Sequence, residues 1–353
     1  MIVPVIMAGG RGARLWPLSR GETPKPFLAM GKGETLLQIT LRRIAKLCGL
    51  ASPVIVCDSE HEDMARQQAA AVFPEKFSLL LEPGGRGTAP ALCAAALLVE
   101  RWRGPDAVLL ALPTDHAVAN DATFAETVAS AAELADAGYL VTFAIKPREP
   151  ATGYGYLKIG EAIDAGKQQF RVEAFIEKPH RQRAGQFLLS GQFAWNSGIF
   201  MFQAAVLIEA FQQFQPEILA ACRNALQGDG DRAVLEPKAF AAALSLSIDY
   251  AVMEKASNIG TVVSDFNWSD MGDWNAVWLQ DTKDKNGVAA RGNVLAIDCT
   301  GSLVQSDGPV VLGLGLEDMI VIATKDAILV APRSRAQDVK RAVEELAARG
   351  NKP

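Results

Sequence analysis

Val5-Ile6-Met7-Ala8-Gly9-Gly10-Arg11-Gly12-Ala13-Arg14-Leu15-Trp16-Pro17-Leu18-Ser19-Arg20, running on to Pro24-Lys25-Pro26-Phe27, is the stretch around which the chain is organised. The apolar run from Ile2 to Met7 reads as a buried strand. Gly9, Gly10 and Gly12 follow it, where a side chain would block close approach of a ligand to the backbone. Arg11, Arg14, Arg20 and Lys25 come next. Exposed backbone N–H groups and several cations at the end of a parallel strand make a site for a polyphosphate. Two familiar phosphate loops do not fit. The dinucleotide fingerprint needs glycine where Leu15 stands, and no Gly-Lys-Ser/Thr closes a Walker loop.

Composition bounds the rest. The chain has 353 residues, 49% of them hydrophobic and 21% charged, which suits a soluble globular protein of roughly two domains. A net charge of −5 argues against general nucleic-acid binding. The positive charge is local, in the first loop, which suits a small anionic ligand. Five cysteines with no CxxC pair fit reduced, mostly buried thiols and a cytoplasmic protein. His61, His116 and His180 lie far apart and offer no obvious zinc site. No leader pattern opens the chain, and no apolar run approaches the ~20 residues that span a bilayer, so no membrane contact is expected.

Apolar strands alternate with helices as far as Ile145: 54–57, 77–81, 107–112 and 140–145, with helices at 35–48, 59–72, 90–102 and 121–137 between them. Strands apolar throughout mean a mostly parallel sheet covered on both faces. Capping boxes are expected at Thr35/Gln38 and Ser59/Glu62. Loops 9–26, 82–90 and 113–116 all leave strand carboxyl ends and are expected to converge on one crevice. From about 146 a smaller antiparallel insertion follows, then helices at 204–226 and 247–256 and a strand at 259–264. The polar segment 281–287 is the candidate linker. Beyond it, short apolar runs suggest a few coils of a β-helix capped by a terminal helix.

Asp115 and Asp270 lie on distant loops that the proposed sheet would bring over the phosphate crevice. Mg²⁺ binds through one or two carboxylates plus substrate phosphate oxygens. Each aspartate alone reads more simply as a turn residue, and the cationic glycine loop is what favours the pair. Arg14 and Lys25 are the candidate catalytic cations, since phosphoryl and nucleotidyl transfer need positioning and charge neutralisation. Arg20 and Lys32 read as surface charge. Gly84 to Pro90 suits reading a base by backbone groups and flat contact, and also starting a helix with Pro90 at its first position. Glu177, Lys178 and Asn196 suit hydroxyls and a phosphate monoester; an exposed ion pair at a strand end for Glu177-Lys178 stands beside that reading, and a turn residue for Asn196 stands equal to it. Trp268, Trp274 and Trp278 read as core, and His116 as a satisfied turn histidine or a support for Asp115.

These residues carry a resemblance. Met7 to Arg20 with Pro24-Lys25 resembles the signature of the sugar-nucleotide pyrophosphorylases, and Leu15-Trp16-Pro17-Leu18-Ser19-Arg20 is similar to its mannose-1-phosphate guanylyltransferase branch. Gly85 to Ala91, Pro113 to His116, Phe175 to Pro179, Trp195 to Gly198, Ser247 to Tyr250 with Met253-Glu254, and Trp268 to Gly272 match in family order. The resemblance implies a Rossmann-like α/β catalytic domain at 1–285, with helices on both faces of the sheet. A short left-handed β-helix-like domain with a terminal capping helix would follow at 286–353, without the isomerase domain of longer relatives. It implies GTP and α-D-mannose 1-phosphate going to GDP-mannose and pyrophosphate with Mg²⁺, and a homodimer is expected.

By the same resemblance, Ala8, Gly9, Gly10, Arg11, Gly12 and Arg14 hold the triphosphate and Lys25 contacts phosphate. Gly85, Thr88 and Pro90 lie by the guanine, Asp115 and Asp270 hold the metal, and Gly153, Glu177, Lys178 and Asn196 surround the sugar phosphate. Two positions depart from the branch: Pro26 where Gln is usual and Gly87 where Asn is usual. Another sugar 1-phosphate or nucleotide, and a silent paralogue that only binds sugar nucleotide, remain as alternatives.

Overall fold

The apolar run at the chain's start forms strand β1 (Ile2–Met7) in an eleven-stranded sheet. In the computed structural model, which describes every residue except 11, 22, 31, 32, 75 and 350–353, β1 lies between β2 (Val54–Asp58) and β4 (Val108–Pro113). It is parallel to both. β3 (Ser78–Glu82) extends the parallel set beyond β2. Val5, Ile6, Ile55, Leu79 and Leu109 are wholly buried, because helices cover both faces and leave no solvent side to impose alternation.

After β5 (His116–Val118), the sheet is continued by β6 (Leu140–Ile145), β7 (Tyr156–Asp164), β8 (Gln169–Ile176) and β9 (Phe193–Gln203). β10 (Leu226–Asp229), β11 (Arg232–Leu235) and β12 (Ile259–Ser264) complete it. The order is β10-β11-β3-β2-β1-β4-β9-β6-β12-β8-β7. β9 runs antiparallel to both neighbours, and β7 and β8 form the expected antiparallel insertion. Helix Thr88–Arg103 is alanine-rich, and its residues Ala89–Val99 are all buried. β5 lies outside the main sheet and pairs with β13 (Trp268–Asp270).

Some local expectations are corrected. Asp58, not a Ser59/Glu62 box, caps the turn before helix Glu62–Val72, accepting from Glu60 N at 3.0 Å, while Glu62 receives Arg232 Nε at 2.9 Å. The helix expected at 204–226 breaks into Ala204–Phe214 and Pro216–Ala225, since Pro216 has no N–H to continue the first. The β10–β11 hairpin was not expected. Helix Thr88–Arg103 opens before Pro90, which therefore sits inside its first turn, where a missing N–H is tolerated.

The chain forms two compact units. The first is Met1–Ala8, Leu37–Thr114 and Val118–Trp268, and the second is Gly9–Leu36, Asp115–Ala117 and Ser269–Pro353. The second contains β14 (Ala289–Ile297), β15 (Leu303–Leu314) and β16 (Met319–Ala323), stacked in parallel, with β17 (Ile328–Pro332) antiparallel to β16. Its core joins Leu15, Leu28, Met30 and Leu36 from the opening stretch to Trp274, Ala289, Leu303, Ile320 and Ile322. Trp274 Nε1 donates to Trp16 O at 2.9 Å. Arg20, read from sequence as surface charge, donates to both oxygens of Asp326 at 2.5 and 3.1 Å.

The boundary expected at 285/286 falls inside this second unit. Segment 281–287, the candidate linker, is a tied turn. Asp284 Oδ1 accepts from Asn286 N and Val288 N, and Asp281 pairs with Arg291 at 2.6 Å. Cys57, Cys93, Cys222 and Cys299 are buried and Cys48 is exposed, all as free thiols. Among the described residues no helix is long and apolar enough to cross a membrane.

Candidate active site

Gly9 and Gly10 are exposed, with open space where a Cβ would stand, and Arg11 lies outside the described residues. Ala8 is buried and donates its N–H to Val56 O at 2.8 Å, ending the strand. Gly12 has φ +64°, and a Cβ there would lie 2.5 Å from Lys25 Cβ and 2.8 Å from Ser19 Oγ. Only glycine lets the Lys25 stem pass that close. Lys25 begins a short turn, Lys25–Phe27, in which Phe27 N bonds Pro24 O and Leu28 N bonds Lys25 O. Pro26 fits this turn because the first N–H groups of a helical turn have no partner within it.

Lys25 is 7% exposed, and its Nζ donates to Asp115 Oδ2 at 2.5 Å. Burial pushes the Asp115 carboxyl up, but Lys25 and His116 outweigh it and hold the group down at about 2. Asp115 is therefore ionised at neutral pH. His116 Nε2 stands 3.9 Å from Asp115 Oδ1, and His116 is itself buried. Arg14 is exposed, with no ion-pair partner among the described residues.

Asp270 arrives on the strand beside β5. Met271 N donates to Asp115 O at 2.7 Å, so the two aspartates sit on hydrogen-bonded backbone. The Asp270 carboxylate turns back over Gly272, where a Cβ would meet Oδ2 at 2.8 Å. An ionised carboxylate with a second one on adjoining backbone is the oxygen donor set a hard divalent cation takes. No group of three or more His, Cys, Asp or Glu able to hold a metal occurs among the described residues. A cation here would thus complete its shell with substrate oxygens or water.

In the first unit, Gly85 lies exposed in the loop after β3. Arg86 Nη1 donates to Ala243 O at 2.7 Å, and Thr88 Oγ1 accepts from Ile248 N at 2.9 Å. Gly87 has φ +84°, and a Cβ would stand 2.5 Å from Leu246 O. The glycine at this departing position is required by its own backbone.

A second cluster of the first unit gathers Glu177, Lys178 and Asn196. Lys178 Nζ pairs with Glu177 Oε1 at 3.0 Å, and the Glu177 side chain is 7% exposed. Burial lowers the Lys178 ammonium, but Glu177 outweighs it and the group is raised. Asn196 N donates to Gly155 O at 2.8 Å, and its Nδ2 donates to Asp249 Oδ1 at 3.1 Å. Burial, then the nearby Glu177 charge, push the Asp249 carboxyl up to about 6. Gly155 packs against the cluster, a Cβ there meeting Glu177 Oε2 at 2.6 Å, whereas Gly153 is exposed with nothing within 4 Å. Asp249 and Gly155 were not singled out from the sequence. The signal for Asp249 was its place in Ser247-Ile248-Asp249-Tyr250.

Residues 3–287 match the nucleotidyl transferase family model, and residues 292–346 match that of the MannoseP isomerase/GMP-like beta-helix domain. The chain is 40% identical over 350 residues to the mannose-1-phosphate guanylyltransferase of Escherichia coli, covering 98% of this chain and 74% of that one. The chain belongs to the nucleotidyl transferase family, among the mannose-1-phosphate guanylyltransferases. It is likewise 40% identical over 352 residues to the alginate biosynthesis protein AlgA of Pseudomonas aeruginosa, covering 99% of this chain and 74% of that one. A solved structure named mannose-1-phosphate geranyltransferase, from Thermus thermophilus, superposes with a TM-score of 0.86 at 34% identity, over 98% of this chain and 99% of that chain. Pro26 and Gly87, where the resemblance implies Gln and Asn, both suit the local backbone.

Proposed function

We propose that this chain transfers the guanylyl group of GTP to α-D-mannose 1-phosphate, giving GDP-mannose and pyrophosphate. A non-bridging oxygen of the sugar phosphate attacks the α-phosphorus in line. The new P–O bond forms as the bond to the β-phosphate bridging oxygen breaks, and pyrophosphate leaves. No side-chain base is needed, because the attacking phosphate is already anionic.

Lys25 and Arg14 neutralise charge on the phosphate oxygens, and Gly9, Gly10, Arg11 and Gly12 supply backbone and cationic contacts to the triphosphate. Gly85, Thr88 and Pro90 face the guanine. Gly153, Glu177, Lys178 and Asn196 bind the sugar phosphate, with Lys178 matching its charge. Nucleotidyl transferases generally use a divalent metal, and Asp115 and Asp270 would hold Mg²⁺, which supplies charge neutralisation at the phosphates when bound. Residues 1–285 carry the transfer, and residues 286–353 buttress the phosphate loop through the Leu15, Leu28 and Met30 packing.

The observation that carries this reading is the Lys25–Asp115 pair under Gly12, with Asp270 on the adjoining strand. A panel crossing mannose, glucose and fucose 1-phosphates with GTP, ATP, UTP and dTTP tests it by pyrophosphate release. Highest kcat/KM is expected for mannose 1-phosphate with GTP. A clear preference for another pair would reassign the substrates.

A further inference from the structure

We propose that Asp249 and Thr142 are positioning residues that lock the side-chain amide of Asn196 in one orientation for the sugar phosphate. The proposal rests on the reading of Asn196 as a sugar-phosphate residue. Asn196 stands on β9, 7% exposed, and cannot choose its orientation from solvent. Thr142, on the neighbouring β6, is wholly buried, and its hydroxyl donates to Asn196 Oδ1 at 2.6 Å. Gly198 N donates to the same oxygen at 3.1 Å. Two donors thus occupy the lone pairs of the amide oxygen.

The amide nitrogen therefore faces Asp249, where one of its hydrogens meets Oδ1 at 3.1 Å. A flipped amide would set its N–H groups against the Gly198 N–H and its oxygen against the Asp249 carboxylate. Both contacts are repulsive. The second hydrogen on Nδ2 is left as a donor of fixed direction. Thr142 is itself held in register, since Thr261 Oγ1 donates to Thr142 O at 2.9 Å. Glu177, beside Asp249, is committed to Lys178 and to the close packing of Gly155, so it does not compete for the amide.

The test is steady-state kinetics on D249A, D249N, T142V, T142S, N196A and the double variant N196A/D249A of the 353-residue chain. D249A and T142V should raise KM for mannose 1-phosphate about tenfold, roughly the loss of one charge-assisted hydrogen bond, with KM for GTP unchanged. T142S keeps the hydroxyl and should restore the wild-type KM, and D249N keeps an acceptor oxygen without the charge and should recover most of the loss. N196A/D249A should be no worse than N196A, because Asp249 acts through Asn196. If N196A raises KM while D249A and T142V do not, or if the double variant is additive, the positioning role is overturned and the reading of Asn196 stands. If N196A leaves KM for mannose 1-phosphate unchanged, the reading of Asn196 fails first.

Discussion

Lys25 Nζ and Asp115 Oδ2 lie 2.5 Å apart, and Gly12 is the residue that leaves room for the lysine stem. The pair keeps a carboxylate ionised and a cation fixed at one place, which on the proposed mechanism prepares charge for the phosphates before substrate arrives. Lys25→Met keeps the length of the side chain and removes the charge. Turnover should fall by about 10² to 10³, the cost of removing one preorganised donor at a developing charge. Single-turnover pyrophosphate release measures it, and a rate within a few-fold of wild type would remove Lys25 from the chemistry.

Asp270 ends β13, which pairs with the strand that follows Asp115, and on the proposed mechanism it holds Mg²⁺ together with Asp115. Asp270→Asn preserves size and much of the hydrogen bonding, so the fold should survive. Turnover should drop on the order of a hundredfold, with a higher Mg²⁺ concentration needed for half-maximal rate. A metal titration of the variant beside a melting curve separates the two effects. Near-normal Mg²⁺-dependent rates would end the metal assignment.

Gly87 occupies φ +84° with Leu246 O where a Cβ would stand. Gly87→Asn, which restores the residue usual in the family resemblance, should therefore destabilise this chain by about 1 to 3 kcal/mol. Urea unfolding measures the loss, and KM for GTP should rise with it because the strained loop leads into helix Thr88–Arg103. An equally stable variant would show that the loop relaxes freely.

Ile320 is wholly buried in the core that also holds Leu15, Leu28 and Met30. Ile320→Ala should cost about 2 to 5 kcal/mol. It should also raise KM for GTP more than KM for mannose 1-phosphate, although Ile320 touches no substrate in the proposed mechanism. Equal changes in both constants would separate the C-terminal coils from the phosphate loop.

Much of this was legible in the sequence. β1 and β6 begin and end where their apolar-rich runs do, because strands buried on both faces are mostly apolar along their whole length. Asp115 stood out as a carboxylate just after an apolar strand, and Asp270 as one two residues before Gly272. Other features depend on distant partners. Arg20 looks like any solvated arginine until Asp326 is placed beside it. The β10–β11 hairpin is hidden by the polar run Gln227-Gly228-Asp229-Gly230-Asp231, which shows no alternation. The close approach of Gly12 to Lys25 is a property of a backbone turn. Asp249 becomes interesting only through the amide of Asn196, which no local pattern places near it.

Phosphorus-31 NMR of the 353-residue chain with GTP, mannose 1-phosphate and Mg²⁺ reads guanylyl transfer to the sugar phosphate directly. GDP-mannose and pyrophosphate should appear in equal amounts, with neither formed when the sugar phosphate is left out. Release of orthophosphate and GDP, or no turnover at all, would contradict that transfer.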